Sequence, residues 1–457
     1  MELVYLWVEE YKNIKNQGFN FSPRFTCKYD EANKELTIDE NKDCLENFFG
    51  ENINVTAIVG ENGSGKTSIL EEIMTTLPSG VIVYLMNDKF EILGSEHILE
   101  IIYNNTDNAH NKLETNISRN MQHITSDMMR LDKVGDWSSY YSTRSQFSNV
   151  HWSMSNDGIS KIDLTKYERS IKALIIKNYD IFDSTFFDFK PINIQIYSTK
   201  KDVDNSLSLI NKIESFIGTG LTTNIIELQL TKEELNTFAN FIGEGTIEVS
   251  IKDNKNIEIF DLSQGERKSF VDSLILFDFI NSNENCLILL DEPDLTIHPK
   301  WQKRYINDLI NSFQNFHKKI HFVITSHSQF LLSDLPKENI VFLENAKQVN
   351  PFENKQTFGA NIHTLLSHGF FMKDGLMGEF AKGKINDVHD FLTNLNTQSE
   401  LTQSKAQSII NLIGEPILKK ELQNLYDEKF ETSDIDKQIR GHQEEIAKLE
   451  AKRKKDD

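Results

Sequence analysis

The segment GENGSGKT, at residues 60–67, lies between an apolar, β-branched stretch and a helical pattern. Such a loop lets backbone N–H groups converge on phosphates, and the positive end of the next helix adds to the attraction. In this arrangement Lys66 reaches the β- and γ-phosphates of ATP, and the Thr67 hydroxyl binds Mg²⁺. A chance match is disfavoured because both flanking elements fit. The residues predicted to bind nucleotide are Gly60, Glu61, Asn62, Gly63, Ser64, Gly65, Lys66, Thr67 and Ser68.

A second element that could do chemistry is NCLILLDEPD, at residues 285–294. Its apolar run predicts a strand buried on both faces of a parallel sheet, with Asp291 and Glu292 at the carboxyl end, where ligand sites lie. Asp291 would orient Mg²⁺, and Glu292 would polarise the attacking water as general base. Taken alone, the pattern fits equally well a buried strand that ends in solvated acids.

Three weaker elements accompany these two. In DLSQGERKSF, Ser263 and Glu266 have the spacing of a capping box that begins a helix. In KIHFVITSHS, His327 follows another apolar strand, and alone it is more often a structural histidine. In SSYYSTRSQF, Gln146 follows two tyrosines of strand type, whereas Arg144 is more simply a solvated loop residue.

The order of these elements resembles that of ABC ATPases: phosphate loop, LSQGE signature, acid-bearing strand and histidine. The resemblance implies that Ser263 and Gly265 embrace the γ-phosphate held by another subunit, and that His327 contacts the same phosphate. It places Asp294 in the D-loop, which touches the partner's site, and Gln146 in the Q-loop, as a candidate metal ligand. It therefore implies a head-to-tail homodimer with two composite sites for ATP and Mg²⁺.

The pattern of elements predicts an α/β fold, an ABC-type head with a mixed sheet around the phosphate loop. The insert before the signature lacks the sustained heptads of a coiled coil, and Thr231 with Glu234 indicates a short capped helix. We expect four regions: the first part of the head (1–100), a mostly helical arm (101–245), the second part of the head (246–345) and a helical region for partners or oligomerisation (346–457).

Net charge, cysteine spacing and the length of the apolar runs indicate what kind of protein this is. The 457 residues carry a formal net charge of −20, which disfavours attraction of the whole surface to DNA, so any DNA contact needs a local basic patch. The three cysteines, Cys27, Cys44 and Cys286, have no zinc-type spacing and indicate reduced thiols. No apolar run is long enough to span a membrane and no signal-peptide pattern opens the sequence, so we expect a cytoplasmic protein.

The C-terminal region carries two helical patterns. Leu418, Leu422 and Leu425 recur on one face of GEPILKKELQNLYDEKF. A second series of residues recurs at alternating intervals of four and three and defines a C-terminal seam on one helix face. This seam either packs against a partner helix or belongs to a solvated terminal helix. Its members are Ile435, Ile439, His442, Ile446 and Leu449.

The segments FGANIHTLL, FFMKDGLMGEFA and IGEPILKKEL, with the short-armed head, resemble ATPase subunits of Septu antiphage systems, including retron-associated versions, within the OLD, RecF and SMC-related ATPases. OLD proteins carry a Toprim nuclease, but no strand-borne acid pair follows His327. The resemblance implies a separate HNH nuclease subunit that acts on DNA and docks on a homo-oligomer of this chain.

Two alternatives remain: a PARIS-type defence ATPase that holds a Toprim-like toxin, and a RecF-like repair ATPase that binds DNA directly. The neighbouring gene distinguishes the first alternative, and salt-dependent DNA binding by the isolated chain distinguishes the second. A transporter ATPase is disfavoured, because the insert lacks an obvious arrangement for coupling to a membrane partner.

Overall fold

In a computed structural model, the chain divides into two compact units, Met1–Lys373 and Asp374–Asp457. The residues that the structure describes are 1–45, 47–74, 80–87, 89–94, 98, 100–104, 128–131, 141–142, 161–179, 193–198, 222–224, 230–245, 247–283, 285–295, 297–352, 355–362, 365, 377–393, 401–430, 441–443 and 445–446.

The first unit is a mixed α/β structure. Its strands are β1 (Glu2–Tyr11), β2 (Ile14–Asn20), β3 (Phe25–Asp30), β4 (Glu35–Glu40), β5 (Ile53–Gly60), β6 (Gly80–Met86), β7 (Lys89–Leu93), β8 (Glu100–Asn104), β9 (Met128–Leu131), β10 (Tyr141–Ser142), β11 (Asn193–Ser198), β12 (Thr222–Asn224), β13 (Ile247–Lys252), β14 (Asn285–Asp291), β15 (Lys319–Thr325), β16 (Ile340–Glu344) and β17 (Lys347–Val349). Its helices are α1 (Lys66–Met74), α2 (Lys161–Lys177), α3 (Lys232–Gly243), α4 (Gln264–Ser282), α5 (Pro299–Gln302), α6 (Tyr305–Phe313) and α7 (Gln329–Ser333).

The central sheet has the strand order β10-β9-β14-β15-β5-β16-β17. The inner strands from β9 to β16 run parallel, and β10 and β17 pair antiparallel at the two edges. After its first residue, β14 is buried throughout, as its apolar run predicts. Parallel pairing brings the carboxyl ends of β5, β14 and β15 to one edge, which is where the phosphate loop and the acids follow.

A second sheet, in the order β2-β1-β6-β7, packs beside the first and includes the N-terminal strand. β3 and β4 form a hairpin, in which they pair antiparallel from Phe25↔Glu40 to Asp30↔Glu35. A fully buried histidine joins β1 to the central sheet: the backbone N–H of Leu3 donates to Nδ1 of His321 at 3.0 Å, and Nε2 lies 2.9 Å from Oγ1 of Thr56. Because the Thr56 hydroxyl donates to the Phe21 carbonyl, Nε2 must be the protonated nitrogen.

Residues 101–245, where the sequence predicts a mostly helical arm, contribute both strands and helices among the described residues. β9 joins the central sheet beside β14, and β11 pairs with β13 outside it. α2 packs against α3 through buried apolar side chains such as Leu174 and Phe238. The predicted capping box of α3 is present, with the Glu234 N–H donating to Thr231 Oγ1 at 3.3 Å.

The second unit contains α8 (Glu379–Thr393), α9 (Gln403–Leu412) and α10 (Pro416–Lys429), which pack against one another. Leu422 is buried, and Leu418 and Leu425 pack against the same core, as predicted. In the C-terminal seam, His442 and Ile446 are exposed, and the other members lie outside the described residues. The buried core of the unit consists of Val388, Leu392, Ala406, Ile410, Leu422 and Tyr426.

The structure confirms the predicted fold class, a mixed α/β sheet with a phosphate-loop core and a helical C-terminal region. Within the part of the chain described above, every helix is too short or too polar to cross a bilayer.

Candidate nucleotide-binding site

The phosphate loop connects β5 to α1 and depends on glycine at three positions. Gly63 and Gly65 have φ angles of +79° and +102°, in the left-handed region that favours glycine. At Gly60, a Cβ atom would lie 2.5 Å from the Leu343 carbonyl oxygen on neighbouring β16. A side chain at any of these positions would therefore distort the loop. The remaining loop residues, Glu61 and Asn62, are exposed, while Ser64 and Ser68 are buried.

Lys66 is the first residue of α1, and its side chain is buried. Its Nζ donates to the carbonyl oxygens of Gly60 at 2.9 Å and Glu61 at 3.0 Å, so the cation lies across the loop that precedes it. A cation in this position, at a helix N-terminus, favours an anionic phosphate.

The metal-binding candidates Thr67 and Asp291 come together although they are far apart in sequence. The Thr67 hydroxyl lies 3.3 Å from Oδ2 of Asp291. Hydroxyl and carboxylate oxygens are the donors that Mg²⁺ prefers, so the pair fits that ion. Gln146, the third candidate, lies outside the described residues.

Thr325, which the sequence analysis did not single out, holds the two acids in place. Its hydroxyl donates to Oδ1 of Asp291 at 2.5 Å and accepts from the backbone N–H of Glu292 at 2.9 Å. The contact follows from strand register, because Thr325 on β15 pairs directly with Asp291 on β14. The polar residue that ends the apolar run KIHFVIT was the signal that could have identified it.

The side chains of Glu292 and His327 face each other. Glu292 is buried and has a φ angle of +48°, a conformation that costs a non-glycine residue on the order of 1–3 kcal/mol. Its N–H also donates to the Thr325 carbonyl oxygen at 3.1 Å, which fixes this backbone. Oε1 of Glu292 lies 3.6 Å from Nε2 of His327. Strained backbone conformations of this kind cluster at active sites.

Asp294 connects the acid strand to the segment after β15. Its buried carboxylate accepts from the Ser326 hydroxyl at 2.8 Å, and the Ser326 oxygen accepts from the Ser328 N–H at 2.8 Å. Burial raises the pKa of Asp294, and the Ser326 hydrogen bond lowers it by less. The predicted D-loop residue therefore contacts the residue that precedes His327, and that residue in turn contacts the one that follows it.

Ser263 caps α4, as predicted, through a capping box with Glu266. The Glu266 N–H donates to the Ser263 hydroxyl oxygen at 3.4 Å, and the Ser263 N–H donates to the Glu266 carboxylate at 3.0 Å. In the described part of the chain, the side-chain hydrogen bonds of Ser263 are with Glu266, its carbonyl oxygen accepts from the Arg267 N–H at 2.9 Å, and no hydrogen bond joins Ser263 or Gly265 to the phosphate loop. The side chain of Ser263 is exposed at the tip of the helix.

The turn between β1 and β2 supplies a second residue that sequence reasoning missed. Asn13 Nδ2 donates to the Gly63 carbonyl oxygen at 2.8 Å, and its Oδ1 accepts from the Ser68 hydroxyl at 3.4 Å. Beside it, Lys12 forms an ion pair with Glu71 of α1. This turn therefore supports the phosphate loop from the neighbouring sheet.

Comparisons with known proteins bear on the same region. Residues 140–333 match the family model described as "AAA domain, putative AbiEii toxin, Type IV TA system". The chain is 26% identical over 388 residues to "Retron Vc95 probable ATPase" of Vibrio cholerae serotype O1 biovar El Tor, which covers 69% of this chain and 74% of that protein. It is 26% identical over 225 residues to "Retron Ec83 probable ATPase" of Escherichia coli, and this match covers 41% of this chain and 40% of that protein.

A crystal structure of an SMC head bound to the C-winged helix domain of ScpA aligns with 76% of this chain and 96% of its own, at 12% identity and a TM-score of 0.35. The family model and the curated relatives support an ATPase related to retron-associated proteins.

Proposed function

We propose that this chain is an ABC-type ATPase whose two ATP sites form between two head-to-tail copies. The observation that carries the proposal is the convergence of Lys66, Thr67, Asp291 and Glu292 at one edge of the sheet, while Ser263 stands exposed at the tip of another element. A signature serine that does not meet the loop of its own chain is available to meet the loop of another.

The residues of the chain have distinct roles in this proposal. The loop amides and Lys66 bind the phosphates, and Thr67 with Asp291 would hold Mg²⁺, which supplies charge neutralisation on the phosphates. Glu292, kept in its unusual backbone conformation by Thr325, accepts a proton from the attacking water. His327, within 3.6 Å of that carboxylate, orients the water and the γ-phosphate.

Mixing two inactive variants tests the composite site directly. Lys66→Ala and Ser263→Arg should each inactivate both sites of a homodimer. In a mixed dimer, one site carries both substitutions and the other carries neither. An equal mixture should therefore recover activity that neither variant has alone, about a quarter of the wild-type ATPase rate when the two sites work independently and less when they are coupled.

A matched control is Ser282→Arg, an exposed position at the far end of the same helix, which should remain active alone. If the mixture stays as inactive as its components while both variants still bind ATP, the head-to-tail arrangement is wrong. Glu292→Gln should bind ATP but not turn it over, and an unchanged rate would exclude Glu292 as the base.

We further propose that this ATPase is a cytoplasmic subunit of a bacterial antiphage complex, in which homo-oligomers control a separate HNH nuclease acting on DNA. The similarity to retron-associated ATPases supports the defence setting, and the net charge of −20 favours DNA contact through a partner.

The test is co-purification of the chain with the product of its neighbouring gene, and measurement of complex mass and DNA cleavage with wild type and Glu292→Gln. Nucleotide-dependent cleavage by the complex supports the proposal. A Toprim-like neighbour that is held and released, or salt-sensitive DNA binding by this chain alone, would replace it with one of the two alternatives.

A further inference from the structure

A cavity of about 280 Å³ lies at the amino edge of the central sheet, away from the phosphate loop. Its lining includes Ile53 and Asn54, which begin β5, and Lys319 and Ile320, which begin β15. These two strands are parallel, and the nucleotide site follows their carboxyl ends. The 7 residues of β15 place the two edges roughly 20 Å apart. The amino-edge cavity is therefore separate from the candidate ATP site.

Asparagine amides are the most frequent polar groups of this lining. Nδ2 of Asn52 donates to the Phe313 carbonyl oxygen at 3.3 Å. Nδ2 of Asn339 donates to the Val55 carbonyl oxygen at 3.0 Å. These hydrogen bonds fix the positions of the two amides. The asparagines of the lining are Asn47, Asn52, Asn54, Asn87 and Asn339.

Several of these amides keep hydrogen-bonding capacity that the chain does not use. Among the described residues, the amide oxygens of Asn52 and Asn339 accept no hydrogen bond. The side-chain amides of Asn47 and Asn87 likewise have no partner within the described part of the chain. Asn339 is only 4% exposed, so an occupant of the cavity can donate to a buried acceptor there. The lining thus offers both donors and acceptors to a ligand.

An aromatic ring forms another part of the lining. Phe48 lies in a turn closed by the Gly50 N–H, which donates to the Asn47 carbonyl oxygen at 2.9 Å. Its ring centre is 4.9 Å from that of Phe49 and 5.2 Å from that of Phe358, with interplanar angles of 90° and 85°. Neither neighbour is stacked parallel to Phe48, which remains 38% exposed. The ring is therefore available to a planar ligand.

The charged side chains of the lining balance one another. Arg24 pairs with Glu2, with Nη1 3.3 Å from Oε2. Lys319 donates to the backbone carbonyl oxygen of Glu51, the second acid, at 2.7 Å. With two bases and two acids, the described lining favours a neutral ligand over a strongly charged one.

We propose that the amino-edge cavity is a second ligand site, which binds a nucleobase between its asparagine amides and the ring of Phe48. A side-chain amide offers a donor and an acceptor side by side, which match the N6 and N7 edge of adenine. Aromatic side chains stack on the faces of bases in single-stranded nucleic acid. A base is also uncharged at neutral pH, in keeping with the balanced lining. It belongs either to a free nucleoside or nucleotide or to the end of a single strand, and the site does not depend on the proposed ATPase function.

Cys44 provides a local readout of occupancy. It lines the cavity and is partly exposed, whereas Cys27 and Cys286 are buried. Alkylation of the full chain by iodoacetamide, followed by mass spectrometry of the Cys44 peptide, measures how far a ligand protects this thiol. Nucleosides are the probes, because they lack the phosphates that the phosphate loop binds.

We expect adenosine to protect Cys44 more than uridine or ribose does. A ligand of this size and ordinary efficiency binds with a dissociation constant on the order of 0.1 mM, so about 1 mM adenosine should slow alkylation roughly 10-fold. Uridine, which lacks the adenine edge, should protect less, and ribose should not protect. No protection by adenosine, or equal protection by ribose, would overturn the proposal.

Two substitutions in the lining test whether the base is bound there. Phe48→Ala removes the stacking surface and should weaken adenosine binding roughly 5-fold or more, whereas Phe380→Ala, at an exposed position in the second unit, is its control. Asn47→Asp keeps the shape and the tolerance for a φ angle of 54° but loses the amide donor, so adenosine should again bind more weakly. Asn345→Asp, at an exposed position with a φ angle of 52°, is the matched control.

Longer probes distinguish the two sources of the base. Adenosine 5′-monophosphate and a short single-stranded oligonucleotide of deoxyadenosine are compared with adenosine at the same concentration. Protection by the monophosphate but not by the oligonucleotide identifies a free nucleotide, and stronger, salt-sensitive protection by the oligonucleotide identifies a nucleic-acid end. Adenosine protection that both folded lining variants leave unchanged would place the ligand elsewhere and overturn the site.

Discussion

The carboxyl edge of the central sheet buries charged side chains, whereas the helical second unit exposes several large apolar ones. At the sheet edge, Lys66, Asp291, Glu292 and Asp294 are buried, and each is held by contacts with the chain. Among the described residues of the second unit, the buried ones are apolar apart from one tyrosine, while Phe380, Leu412 and Ile417 are 81%, 84% and 78% exposed. Buried charge is costly and persists where it performs chemistry, so the sheet edge is organised for function and the helices for packing.

The largest effect is expected at the sheet edge. Lys66→Ala removes the cation that faces the phosphates, and ATP turnover should fall on the order of 10²–10³-fold. A steady-state ATPase assay measures it, and thermal unfolding should show a folded protein. Turnover within a few-fold of wild type would contradict the assignment of the site.

Leu422→Ala should affect stability and leave chemistry unchanged. Deleting this buried side chain should lower the unfolding free energy of the second unit by about 2–5 kcal/mol. Hydrogen exchange over residues 401–430 should rise while ATP turnover stays near wild type. A parallel loss of turnover would break the comparison, because it would make the second unit part of the catalytic machinery.

Thr325→Val keeps the shape of the side chain and removes the hydroxyl that contacts both acids. Two buried groups lose a partner, at about 1–3 kcal/mol each. We expect roughly 10-fold slower turnover with a smaller change in KM for ATP. Thr325→Ser, which retains the hydroxyl, is the control and should stay close to wild type.

Asp294→Asn should raise the melting temperature by a few degrees while lowering turnover. Burial raises the pKa of Asp294, so the stability associated with its neutral form is present below the unfolded pKa and is lost as pH rises through the folded one. The neutral amide avoids that loss at pH 7. Melting curves at pH 4 and pH 7 should show a smaller gain at the lower pH, and an equal gain would argue against this origin.

The smallest effect is expected from Leu412→Ser combined with Ile417→Ser. Both side chains are already in water, so the unfolding free energy should change by no more than about 0.5 kcal/mol. A marked loss of stability, measured by chemical denaturation, would show that these residues are covered in the protein as it exists in solution.

Sequence reasoning succeeded where the evidence is local. The phosphate loop, the two apolar strands and both capping boxes depend on residues close together in the chain, and each formed where predicted. Thr325 and Asn13 were missed because their contacts depend on strand register and on one sheet packing beside another. β11 alternates over only a few residues, with Ile194 and Ile196 buried, β12 is wholly polar, and these strands pair across long stretches of sequence.

The buried histidine between β1 and the central sheet makes that junction sensitive to acid. Burial, and then the N-terminal charge, lower the pKa of His321 to about 3, whereas in the unfolded chain it titrates near 6.5. The stability that depends on its neutral form is therefore complete above pH 6.5 and is lost progressively as the pH falls towards 3. Protonation would place a cation where Nδ1 must accept from Leu3, so the N-terminal strand is expected to detach early during acid unfolding, taking with it the turn that carries Asn13.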